Sequence, residues 1–104
     1  MHNAHIDDDM LKQRMPESQP SFIAAFNHLL EFLTGFYRLN LPEDECMALA
    51  VAALSGHPRA EFLVASAYDA ADDAMEARLW YERAARRGHL PAMLQLRQFI
   101  GASA

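Results

Sequence analysis

The sequence predicts an all-α fold, a short α/α solenoid of about two and a half helix hairpins with five main helices and an N-terminal arm. Apolar residues recur at helical spacing from Phe22 to Ile100, and proline, glycine and acidic residues punctuate the chain where helices should begin and end. A block of residues also returns after an interval of 32. No segment shows the alternation of a half-buried strand.

Residues 1–20 are polar, carry Pro16 and Pro20, and read as an arm outside a helical repeat domain at 21–104. Within the arm, Asp7 suits the cap of a short turn of helix whose Ile6, Met10 and Leu11 share a face and which Pro16 ends. The first main helix is predicted over Ser21–Leu39, with Phe22, Phe26, Leu29, Leu33 and Phe36 on one face. At ~100° per residue Asn27, Glu31, Thr34 and Arg38 form one narrow polar stripe, leaving an apolar arc of roughly 200°. That arc, which also holds Ile23, Leu30, Phe32 and Tyr37, asks for neighbours on more than one side.

Asn40 tolerates the left-handed conformation that ends a helix, and Pro42 with Glu43, Asp44 and Glu45 opens the second. This helix runs to Ser55 and stops at Gly56. Pro58 starts a third, to about Ala70; Asp73 and Glu76 are spaced as a capping box for the fourth, which stops at Gly88. Arg83, Arg86 and Arg87 precede that glycine, where cations offset the negative end of the helix dipole. Pro91 begins a fifth, shorter helix with Met93, Leu94, Leu96, Phe99 and Ile100. Loops of a few residues imply antiparallel hairpins.

Gly56-His57-Pro58-Arg59-Ala60 returns as Gly88-His89-Leu90-Pro91-Ala92. The same shift pairs Leu49 with Tyr81, Ala52 with Ala84 and Ala53 with Ala85, and aligns Phe32, Val64 and Leu96 in one row and Phe36, Tyr68 and Ile100 in another. Apolar falls on apolar and small on small, so each hairpin must bury its face against the next.

From Gly56 to Leu96, Ala60, Val64-Ala65, Tyr68, Ala77, Trp80-Tyr81-Glu82-Arg83-Ala84-Ala85, Gly88-His89 and Ala92 resemble the Sel-one-like repeat of the tetratricopeptide-like superfamily. Its usual glycine-rich loop is replaced by Ala70-Ala71-Asp72-Asp73, and the spacing of Tyr68, Ala77, Tyr81 and Ala84 is nearer the plain tetratricopeptide form. The resemblance implies a scaffold without chemistry of its own, an adaptor, regulator or small chaperone for another protein or peptide. It places the first helix of each pair on a concave, partner-binding face: Asn27, Glu31, Thr34 and Arg38, then Arg59, Phe62, Ser66 and Asp69, then Leu94, Gln95 and Gln98. The first set is the polar stripe that periodicity gives independently. The apolar end of the first helix, Phe22, Ile23, Phe26 and Leu30, is a second candidate interface, for a homodimer or a partner's helix, with folding back of the arm as the alternative; Phe99 and Ile100 mark the other end.

Composition narrows the field further. A chain of 104 residues that is 52% hydrophobic and 22% charged should form one packed domain. Fourteen acids against nine bases give a formal charge of −5, which repels phosphate backbones and anionic membranes, so neither nucleic acid nor membrane is an expected partner. Cys46 is alone, no apolar run reaches membrane-spanning length, and Asp7, Asp8 and Asp9 break any leader-like run; a cytoplasmic location is expected. Arginine outnumbers lysine and alanine is abundant, a weak hint of a GC-rich bacterial source.

No cofactor motif, Ser/His/Asp order or HExxH spacing is present, so no catalytic residue is assigned and an enzyme ranks third. The second reading is a metal-responsive binder using His2, His5 and the neighbouring aspartates, set against the entropy of ordering an arm. His57 and His89 lie one repeat apart, about 10 Å by helix spacing, too far for one ion. A Cys46 thiolate is opposed by Glu43, Asp44 and Glu45.

Overall fold

The computed structural model describes residues 20–36 and 38–103, with backbone only at Pro20 and at 100–103. Among the described residues there are five α-helices and no strand: α1 (Pro20–Gly35), α2 (Glu43–Leu54), α3 (Pro58–Ala70), α4 (Ala74–Arg86) and α5 (Leu90–Ser103). Each packs on its neighbours in sequence order, α3 and α4 most extensively, as an array of helical hairpins. The arm falls outside the described residues, except that Pro20 belongs to the first turn of α1, where its missing N–H costs nothing.

Two helix limits differ from expectation. α1 stops at Gly35 rather than Leu39: glycine is about 1 kcal/mol poorer than alanine as a helix former, and past it the chain turns, Leu39 N–H donating to Phe36 O at 3.1 Å. α5 is 14 residues, not shorter than α3 or α4 at 13 each, and begins at Leu90 instead of Pro91.

The 32-residue translation is visible in the backbone. Gly56 and Gly88 have φ of 94° and 86°, and Asn40 and Asp72 have φ of 52° and 63°. His57 N–H donates to Ala52 O and His89 N–H to Ala84 O, both at 3.1 Å. With Gly56 N–H to Ala53 O and Gly88 N–H to Ala85 O, these are the paired bonds of a Schellman ending, which satisfy carbonyls a helix leaves free. α3 ends likewise, Asp73 N–H donating to Tyr68 O at 2.9 Å. That bond changes the predicted capping box: the Asp73 carboxylate accepts from Glu76 N–H at 3.3 Å, but Asp73's own N–H is already committed to α3.

Among the described residues eight of the fifteen buried apolar ones are alanines, so the helix backbones can approach closely. Tyr68, Trp80 and Tyr81 fill the remaining space, at 7% exposure or less. The Phe32 ring of α1 lies over the Tyr68 ring of α3, centroids 3.9 Å apart and planes within 5°, which ties the first hairpin to the second. Leu29 and Leu33 of α1 are buried in the same core; each is worth roughly 1.5–3 kcal/mol against the exposed state.

Candidate functional site

Tyr81 organises the middle of the array. Its ring meets Phe62 of α3 at 5.6 Å and Phe99 of α5 at 5.6 Å, both tilted. Its hydroxyl donates to Asp69 Oδ2 at 3.4 Å and lies 3.4 Å from Ser66 Oγ, which also bonds Phe62 O at 3.0 Å. Burial is the main force holding the phenol above its usual pKa, and the Asp69 charge adds to it, while the Ser66 bond acts the other way. Three residues assigned to a binding face, Phe62, Ser66 and Asp69, are therefore brought together, and Phe62 also meets the His89 ring at 5.2 Å.

Beside this network Phe36, Arg38, Leu39, Leu41, Leu49, Leu63, Ser66, Ala67 and Ala70 line a hollow of about 390 Å³. It is largely apolar, Leu41 and Leu63 being 39% and 45% exposed, and its polar edge is Ser66 and Arg38. The Arg38 guanidinium donates to Ala70 O at 3.5 Å, one repeat along the chain, so this predicted contact residue also caps the end of α3. The leucines were not anticipated. Leu63 lies four residues beyond Arg59 and three before Ser66, on the same strip of α3, and that spacing is a signal the sequence did carry.

The remaining predicted positions are scattered. Asn27, Glu31, Thr34, Arg59, Leu94 and Gln98 are exposed and Gln95 is half-buried, outside this hollow. Thr34 Oγ1 donates to Leu30 O at 2.8 Å. At the apolar end of α1, Phe26 and Leu30 pack against the core, Phe22 is half-buried and Ile23 is open. Phe99 is engaged by Tyr81; the Ile100 side chain lies outside the described residues.

The arginine cluster has a second role beyond the helix dipole. Arg83 lies over the Trp80 ring, 4.5 Å from its centroid, and Arg87 Nε donates to Glu61 Oε1 at 3.0 Å. The Glu61 side chain is 1% exposed. Glu61 stands in the repeat row of Leu29 and Met93, so the sequence held a sign of it, a charge in an apolar row.

Cys46 is fully buried with Sγ 3.8 Å from Leu41 O; burial first, then Glu45, Glu43 and Asp44, push its thiol pKa up. Among the described residues no three His, Cys, Asp or Glu side chains are placed to hold a metal ion, and no helix is long and apolar enough to cross a membrane. The alternative metal ligands His2, His5 and Asp7 to Asp9 lie outside the described residues. The chain matches no family model, no curated protein and no solved structure.

Proposed function

We propose that this domain is a non-catalytic protein-binding module, an adaptor, regulator or small chaperone of the Sel-one-like, tetratricopeptide-like kind, acting in the cytoplasm of a bacterium. The hollow between the end of α1, α2 and α3 carries the reading. It offers exposed leucines beside a guanidinium and a hydroxyl, the mixture that receives an apolar side chain of a peptide and fixes its backbone by hydrogen bonds. The −5 charge favours a protein ligand over nucleic acid.

Affinity capture with the full chain tests it. Leu63→Glu and Leu41→Glu alter exposed positions and should leave helicity unchanged. A partner that the unaltered chain retains, and that both variants lose by tenfold or more, supports the reading. Identical capture by all three proteins refutes the assignment of this hollow.

A further inference from the structure

A second hollow, of about 300 Å³, lies where the ends of α2 and α4 meet the start of α3, and Leu54, Glu61, Arg83, Arg86 and Arg87 line it. That is the space of about ten water molecules, with three guanidiniums around it. The arginines stand three and four residues apart, so one face of the end of α4 carries all of them and like charges crowd together. The fold does not need them there. Thirty-two residues earlier Val51, Leu54 and Ser55 hold the same positions, and α2 has no basic residue in its last turn, yet it ends in the same paired bonds. At α4 the carbonyls of Ala84 and Ala85 likewise accept from the N–H groups of Arg87, Gly88 and His89, so no guanidinium is required as a cap.

Two of the three arginines are held in place. Arg83 lies over the Trp80 ring, 4.5 Å from its centroid, and Arg87 Nε donates to buried Glu61 at 3.0 Å, which leaves both Arg87 Nη groups without a protein acceptor. Glu61 stands where its repeat row has Leu29 and Met93, so its buried carboxylate serves this one guanidinium. Arg86 is exposed, and among the described residues neither it nor Arg83 has a carboxylate partner. Three guanidiniums against one carboxylate leave a local charge of +2. The charges around the hollow do not cancel it. Arg83 and Arg86 also border His28, Glu76 and Glu82, but Glu82 is tied to Arg78 at 3.2 Å and Glu76 stands one and a half to two turns, about 10 Å, before Arg83. On the α5 side Arg97 adds a further positive charge beside Arg86.

A phosphate monoester carries about −2 at neutral pH, and guanidinium forks match its oxygens in shape and charge. The whole-chain charge of −5 disfavours a strand of phosphates, whereas a single phosphate at the arginines meets the local field, since exposed charges beyond about 10 Å are largely screened by salt. We infer that Arg83, Arg86 and Arg87 form a binding site for one phosphate monoester dianion, carried by a phosphorylated side chain or by a small metabolite, with Glu61 positioning Arg87 for it. The site is separate from the leucine hollow and stands whether or not that hollow receives a peptide.

Backbone-amide NMR on the full chain, at pH 7.5 and low salt, tests it. Methyl phosphate should shift the amides of residues 83–89 with half-saturation at roughly 1–5 mM. Methyl sulfate, of the same shape but half the charge, and acetate should bind at least about fivefold more weakly. Arg83→Gln and Arg86→Gln should each weaken methyl phosphate at least about fivefold, while Arg78→Gln, on the same helix but outside the hollow, should not. Unshifted amides elsewhere show that each variant is folded. Acetyl-alanyl-phosphoseryl-alanine amide and adenosine monophosphate then separate the sources: tighter binding by the peptide assigns the site to a phosphorylated protein, tighter binding by the nucleotide to a metabolite, and equal binding to the phosphate group alone. Three results overturn the inference: no saturation by about 20 mM methyl phosphate, sulfate or acetate binding as tightly as phosphate, or binding unchanged by either arginine substitution.

Discussion

Gly56 and Gly88 close successive hairpins with the same left-handed backbone, yet an added methyl group should not cost the same at both. At either site a Cβ in that region costs about 1–2 kcal/mol. Around Gly88 a Cβ meets nothing within 4 Å. At Gly56 it would lie 2.8 Å from Arg87 Nη2 and 2.9 Å from Cζ, so the guanidinium must move. That guanidinium is held 3.0 Å from Glu61, whose side chain is 1% exposed. Stranding a buried carboxylate costs about 3–5 kcal/mol, but Arg87 is half exposed and can partly follow, so about 1–2 kcal/mol is expected. Gly88→Ala should therefore cost about 1–2 kcal/mol and Gly56→Ala about 2–4 kcal/mol by urea denaturation. The difference corresponds to roughly 4–16 °C in Tm. In an Arg87→Met background the excess at Gly56 should vanish. Equal costs in the unaltered protein, or an excess that persists without Arg87, would refute the reasoning.

Two other outcomes follow from buried titratable groups. Burial, helped by Glu76 and Asp73, pushes the Tyr68 phenol up to about 12 from 10.0. The folded state then holds the proton more tightly than the unfolded one, so its contribution to stability is constant below pH 10 and lost as pH rises from about 10 through about 12. Urea midpoints across that range should fall, and less so in Tyr68→Phe; a flat profile contradicts the assignment. Cys46, buried and with a raised pKa, should react with a thiol reagent at least a hundredfold more slowly in native protein than in denaturant. Comparable rates would show that α2 opens readily near its first turn.

The helices and their order were legible because their signals are local. Pro58, the glycines at 56 and 88 and the 3.6-residue apolar spacing act within a few residues; the largest differences in the structure are that α1 ends early at Gly35 and α5 runs long. The repeat was legible too, since equivalent loops need equivalent backbone, down to Asn40 and Asp72 taking the same left-handed turn.

The candidate site was legible only in part. Phe62, Ser66 and Asp69 converge on Tyr81, but Leu41, Leu49 and Leu63 share the adjoining hollow with Arg38 because of how α1, α2 and α3 meet, and no spacing along one helix encodes that. Glu61 makes the point most clearly. Its place in the row of Leu29 and Met93 marks it as unusual, yet only the packing of α4 removes its water and supplies Arg87 in return. Periodicity determines which faces of a helix are apolar; the closeness of the backbones, set here by alanines at the crossings, decides which side chains from different helices touch.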